Sequence, residues 1–238
     1  MLLVFISFEK NRLLLAALFT VLVFCIKGYG AIAGLLFLLY PGRIKFMAYC
    51  VVCGLVIAAL PLLFVSFSET VEYYRQWLAM IGSDTIKESI SVTGIFGKTH
   101  ANEWLITIVA VLLLIISFAY TLRRPFLKVQ LYSRTWLCCY LLVWVVLFNR
   151  AAESPTYQLA ITGIACWMAA SEYKRAHIYL GVLFLFLLYV LPSDLFPAFF
   201  HRCFSDYQLK VYPFLVAFLY MQYQVIFGNL PAPVRTAN

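Results

Sequence analysis

The chain has 238 residues, 64% of them hydrophobic and 12% charged, with a net charge of +8. A soluble domain is roughly 45–50% apolar and about 25% charged, so this composition excludes an ordinary soluble globular protein. The apolar stretches are long single runs, not the alternating strands of roughly ten residues that build an outer-membrane barrel, which leaves helices to span the bilayer. The fold class expected is therefore all-α: one polytopic transmembrane helical bundle of about seven to eight membrane segments, filling residues 1–238. No basic stripe interleaved with exposed aromatics is present, so the positive charge does not point to nucleic acid.

Met1–Phe8 is apolar but too short to span, and its charges, Glu9, Lys10 and Arg12, follow the run instead of preceding it. That is the reverse of a signal peptide; the segment reads as the tail of an earlier helix. Leu13–Ile26 and Tyr29–Tyr40 are two apolar runs split by Lys27-Gly28. At about 1.5 Å per residue each is shorter than the ~30 Å hydrocarbon core. Two arrangements are open: a hairpin whose tip stays at the outer half of the membrane, or one long tilted helix broken at Gly28. Gly28-Tyr29-Gly30 can supply the turn or the break.

Phe46–Phe67 reads as a spanning helix. The longest polar segment, Ser68–Glu103, follows as an external loop, and apolar or aromatic residues at 71, 74, 77, 78 and 81 give its first part the spacing of an interfacial helix. Ser89–Lys98 is rich in small residues and suits a segment dipping back into the protein. Trp104–Leu122, Leu131–Phe148, Thr156–Ala170, Ala176–Leu191 and Leu209–Phe227 are the remaining helices, with a break at Pro192–Pro197. Pro231–Asn238 reads as a disordered cytoplasmic tail.

Between two of those helices lies a polar knot, Asn149-Arg150-Ala151-Ala152-Glu153-Ser154-Pro155-Thr156-Tyr157. Charges so near helix ends in lipid belong at a water-facing rim or in a pair. Ser154-Pro155 supplies a helix start, since Ser caps and Pro at the first position gives up an amide with no partner. The knot is either a plain turn, with Glu153 and Arg150 paired to fix it, or part of a site.

Counting Lys and Arg in short loops orients the chain. With the hairpin arrangement, one side holds Lys10, Arg12, Arg43, Lys45, Arg123, Arg124, Lys128, Arg134, Lys174, Arg175 and Arg235, eleven of the 18 basic residues, and is cytoplasmic. The other side carries eight of the 10 acids. Lys27, Ser68–Glu103 and the knot share the external face in this topology. An ammonium at membrane depth calls for an anion, and a lipid phosphate is available there; the bland reading is that the Lys27 stem snorkels to the interface.

Other motifs carry little. Cys50 and Cys53 have metal spacing but no second pair nearby, and read as small packing residues. No cofactor motif and no metal-ligand set is expected. Ser154 has no triad partners, and Gly28-Tyr29-Gly30 lacks the strand–turn–helix context of a nucleotide loop.

Phe24-Cys25-Ile26-Lys27-Gly28-Tyr29-Gly30, ending at Pro41-Gly42-Arg43, resembles the apolar–Lys–Gly/Pro segment of GT-C membrane glycosyltransferases. Ser91-Val92-Thr93-Gly94-Ile95 and Ala152-Glu153-Ser154-Pro155-Thr156-Tyr157 are similar to later motifs of glycosyltransferase family 87, in its bacterial branch of polyprenyl-phosphate-mannose-dependent mannosyltransferases. The match runs in order from about Leu13 to about Phe227. The resemblance implies a multi-pass protein of the bacterial cytoplasmic membrane that takes a polyprenyl-phosphate sugar as donor and a glycan or lipid-linked acceptor at the external face. It further implies that Lys27 contacts the donor phosphate, and that Tyr29, Ser91, Arg150, Glu153, Ser154 and Tyr157 line or brace the pocket. GT-C enzymes usually place a catalytic acid in a first external loop, and no such loop precedes Lys27. No catalytic base is therefore assigned, and the chain is expected to be the C-terminal part of a longer transferase.

Two other classes are kept. A transporter or flippase of a lipid-linked substrate would also use a broken helix with a lysine, but should show a paired break in a second half. A non-catalytic membrane partner, or an inactive fragment, would bind the lipid without turning it over.

Overall fold

A computed structural model describes residues 1–83, 89–97, 103–124, 127, 130–149, 152–171, 175–186 and 208–227. Among these every regular element is helical, in agreement with the all-α expectation. The chain divides into two compact units, Met1–Thr85 and Ile86–Asn238. Two helical stretches, Arg43–Leu63 and Trp104–Arg123, are long and apolar enough to cross a membrane, while Leu13–Ile26, Gly28–Leu39, Leu131–Leu147, Tyr157–Ala170 and Val211–Ile226 are apolar but shorter. The Pro192–Pro197 break and the tail 231–238 lie outside the described residues.

The first unit opens with α1 (Leu2–Glu9) and α2 (Leu13–Ile26). Asn11 joins them in the left-handed region at φ 53°, where Asn is tolerated better than other side chains. The amide of Asn11 bonds the Phe8 carbonyl and that of Arg12 the Ser7 carbonyl, at 2.9 and 2.8 Å. This is a Schellman ending, which satisfies carbonyls that α1 would otherwise leave open.

After α2 the backbone extends at Lys27 and then coils as a 3-10 segment, Gly28–Leu39. A Cβ on Gly30 would lie 2.0 Å from Val23, and one on Gly34 would lie 2.8 Å from Thr20. Positions rising along one segment thus meet positions falling along the other, so the two runs form a hairpin and not one broken helix. The buried small residues Ala16, Ala17, Thr20, Gly30, Ala33 and Gly34 make that approach possible.

Beyond the hairpin, Gly42 at φ 77° begins α3 (Arg43–Ala59). Phe8 stacks on Tyr40 at 4.9 Å and tilts against Phe46 at 5.0 Å, and the Tyr40 hydroxyl donates to the Glu9 carboxylate. Pro61 cannot donate an amide, and α3 tightens into the 3-10 turn Leu60–Leu63.

The helix predicted from spacing after Ser68 is α4 (Phe67–Ser83). Ser66 and Glu69 form a capping box: the Ser66 amide and hydroxyl donate to Glu69 Oε2 at 2.9 and 2.7 Å, and the Glu69 amide returns to Ser66 Oγ at 3.4 Å. These bonds, the hydroxyl's foremost, hold the exposed Glu69 carboxyl below its ordinary value. Tyr74 then donates to the Ala58 carbonyl at 2.9 Å, folding α4 back on the end of α3.

In the second unit, α5 (Val92–Gly97) precedes α6 (Glu103–Arg123), α7 (Leu131–Leu147), α8 (Tyr157–Ala170), α9 (Arg175–Leu185) and α10 (Val211–Ile226). The core is α7, buried almost throughout. It meets α8 closely at Gly163, where a Cβ would lie 2.9 Å from the Cys139 carbonyl oxygen and from Leu142 Cβ. Phe214 and Phe218 of α10 pack on aromatic rings, Tyr140 to Phe218 at 5.0 Å and Tyr157 to Phe214 at 4.9 Å. Two buried glutamines pin α10: Gln222 Oε1 accepts from Ser117 at 3.1 Å and Tyr140 at 2.8 Å, and Gln224 Oε1 from Trp136 at 3.2 Å. Interhelical bonds of this kind hold apolar helices in register where burial alone gives little direction.

Two outcomes follow. Gly163→Val forces α7 and α8 apart and should destabilise the second unit by about 1–3 kcal/mol, seen as a lower thermal midpoint in detergent. Glu69 has a depressed folded-state pKa, so its stabilising contribution is complete above the unfolded carboxyl value and is lost as pH falls through the folded one. Amide protection in the first turn of α4 should drop across that acid window in the wild type, and Ser66→Ala should shrink that pH-dependent part, leaving what the Ser66 backbone amide contributes.

Candidate functional site

The residues singled out in sequence fall in both units. In the first, Lys27 ends α2 with extended backbone, φ −149° and ψ 110°. The Gly30 amide bonds its carbonyl at 2.8 Å, closing the tip of the hairpin. The Lys27 side chain is exposed, and its Nζ stands 5.8 Å from the centre of the half-buried Tyr29 ring, at the outer edge of cation–π range. Aromatic contact orients the ammonium while leaving its three donors available to an anion.

Beside the last turn of α2 lies an apolar groove of about 520 Å³ between α2, α3 and α4. Phe24 and Cys25 form one wall, Gly54 the floor, and Tyr73, Tyr74 and Trp77 the wall from α4. Its volume is within the roughly 300–1,000 Å³ of small-molecule pockets. In sequence, Phe24 and Cys25 belong to the Lys27 motif and Tyr74 and Trp77 to one helix face, but nothing there joins them into a groove.

In the second unit, Ser91 and Tyr157 are brought together around a short turn, Ser89-Ile90-Ser91. The Ile90 amide donates to the Ala152 carbonyl at 2.8 Å, and the Ile90 carbonyl accepts from the Tyr157 hydroxyl at 2.9 Å. Ser89 Oγ donates to the Asn149 carbonyl at 3.1 Å and accepts from the Ala152 amide at 3.3 Å. Ser91 Oγ is 2.8 Å from Ser89 Oγ and accepts the Gly94 amide at 3.1 Å, which makes Ser91 the N-cap of α5. Gly94 leaves no room for a side chain, since a Cβ would fall 1.9 Å from the Ser89 carbonyl oxygen. The small-residue segment therefore does dip into the protein, and it docks on the knot.

Within the knot, Ser154–Thr156 is a 3-10 turn and the α-helix begins at Tyr157. The Glu153 amide bonds Thr156 Oγ1 at 3.2 Å, so Thr156 closes the turn. The Glu153 side chain is exposed. Arg150, its expected partner, and the side chain of Ser154 lie outside the described residues.

Sequence reasoning missed three residues of this node. Ser89 is its hub. Gln208, itself in the left-handed region at φ 49°, donates to the Ser89 carbonyl at 3.1 Å. Lys210 places its ammonium 5.1 Å from the Tyr157 ring centre. No local signal marks these residues, since their partners are far away in the chain. Among the described residues the node is built from hydroxyls and backbone groups, with the Lys210 ammonium beside it. Among the described residues no cluster of His, Cys, Asp and Glu could hold a metal ion.

No family model, curated protein or solved structure matches this chain. The resemblance to family 87 accordingly stands on its sequence motifs alone.

Tyr157→Phe deletes one buried hydrogen bond to the Ser89–Ser91 turn. It should cost about 1 kcal/mol, read as a severalfold fall in amide protection at Ile90. Gly94→Ala should be more damaging, and loss of protection should spread from Ser89 to Ala152.

Proposed function

We propose that this chain is a multi-pass protein of the bacterial cytoplasmic membrane that handles a polyprenyl-phosphate-linked sugar, in the manner of a glycosyltransferase. The reading draws its chemistry from the family resemblance. The observation that carries it is the exposed Lys27 ammonium at the tip of an apolar hairpin, beside an apolar groove. A lipid phosphate meets a cation at that depth and can leave its hydrocarbon in an apolar surface. The exposed apolar residues of α3, among them Ile44, Val51, Leu55 and Val56, suit a lipid environment and not water.

In such a transfer an acceptor hydroxyl attacks the sugar's anomeric carbon. The bond from that carbon to the phosphate oxygen breaks, the hydroxyl proton passes to a base, and polyprenyl phosphate departs with its electron pair. Lys27 would hold the charge that grows on the leaving phosphate, a stabilisation greatest where water is excluded. No base is assigned.

The test uses polyprenyl-phospho-mannose and the purified chain in lipid nanodiscs. A hydrogen bond to a charged group contributes about 1.5–3 kcal/mol, so Lys27→Ala should weaken donor binding roughly 10–100-fold, Lys27→Arg should retain most of it, and thermal stability should hardly change. Donor binding unaltered in Lys27→Ala would remove the phosphate role. A wild-type chain with no affinity for the donor would overturn the whole reading.

A further inference from the structure

The first unit gathers positive charge at the end away from Lys27. Lys10 and Arg12 flank the turn between α1 and α2, and Arg43 and Lys45 open α3. The two helices start side by side: a Cβ on Gly42, just before α3, would lie 2.7 Å from Leu13, the first residue of α2. Between these starts is a hollow of about 490 Å³, lined among others by Asn11, Arg12, Leu14, Lys45 and Tyr49. Arg12 and Lys45 are exposed and reach it from different helices.

Among the described residues neither cation has an acidic partner within ion-pair distance. The acid closest to them in sequence, Glu9, accepts the Tyr40 hydroxyl, and Arg43 donates to the Leu38 carbonyl at 2.6 Å. Two like charges facing one space repel unless an anion lies between them. Neither α2 nor α3 has a side-chain cap, so the first amides of both helices add donors at the same end. Such a hollow suits an anion with several acceptor oxygens, and a phosphate matches the fork of an Arg guanidinium.

Two further features select a lipid as the bearer of that phosphate. Exposed apolar residues lead away from the hollow: Leu14 on α2, and Tyr49, Val52 and Val56, which follow Lys45 at helical spacing on α3. This end is also the cytoplasmic one in the topology expected from loop charge, and basic pockets between helices on that side take anionic headgroups. We propose that the hollow binds the headgroup of an anionic diacyl phospholipid, with Arg12 and Lys45 on its phosphate and an acyl chain along Val52 and Val56. The bound headgroup offsets the repulsion between the two cations and ties the start of α2 to that of α3. Lys27 takes no part, so this assignment and the donor reading can fail separately.

The test titrates the full chain, purified in detergent, with phosphatidylglycerol, phosphatidylcholine and inorganic phosphate, and counts bound lipid by native mass spectrometry. Wild type should prefer phosphatidylglycerol to phosphatidylcholine, whose choline cancels the headgroup charge, and equimolar inorganic phosphate should not displace the lipid. Arg12→Gln and Lys45→Gln should each weaken phosphatidylglycerol about fivefold, the contribution of one basic residue at an anionic lipid surface, and the double variant about 25-fold. Lys45→Arg should retain binding. Lys10→Gln, at the same end but outside the hollow, should leave it unchanged. Equal affinity of wild type for the two phospholipids would overturn the proposal. Unchanged binding by a double variant whose thermal midpoint shows it folded would do the same. A loss in Lys10→Gln as large as in Lys45→Gln would mean diffuse attraction and no site. Displacement by equimolar inorganic phosphate would make the hollow a site for a soluble anion and sink the lipid assignment.

Discussion

Every stretch of backbone that leaves a helix in an apolar protein must find new partners for its amides and carbonyls, because an unpaired buried group costs several kcal/mol where water is absent. The irregular parts of this chain are built around that constraint. The Ser89–Ser91 turn is buried, and it is tolerated because Ala152, Asn149, Tyr157 and Gln208 supply bonds to it from three other places in the sequence. The ending of α1 at Asn11 and the start of α4 at Ser66 answer the same demand locally. Of the candidate site residues, Ser91 lies in the first of these segments and Tyr157 bonds to it.

Small residues do two different things here. Gly30, Gly34 and Gly163 let one backbone approach another, and a neighbouring atom already occupies the place of their missing side chain. Gly54 instead leaves a volume unfilled next to Phe24, Tyr73 and Trp77. In a core, an empty volume of this kind would be a defect, since interiors pack densely.

Two lysines near aromatic rings differ in setting. Lys27 is exposed at a hairpin tip beside Tyr29. Lys210 is half-buried at the start of α10, against Tyr157. Both rings present an electron-rich face to the ammonium, which steadies a long, rotamer-rich side chain. A single lysine in an apolar run stands out in sequence. One in the mixed stretch before Val211 does not.

The sequence by itself determined the helical class, the break at Lys27-Gly28 and the interfacial spacing of Val71, Tyr74, Trp77 and Leu78, because these depend on periodicity and on charge interrupting apolar runs. It also marked Ser91 and Tyr157 as part of one motif set, without a contact to join them. Only the tertiary structure decided between hairpin and broken helix, since that choice turns on whether Gly30 and Gly34 lie against α2. Only the tertiary structure made Ser89 a hub, brought Gln208 and Lys210 to Tyr157, and opened the groove over Gly54. Those features are contacts between distant positions, and hydrophobic periodicity says which face of a helix is apolar but not what that face will meet.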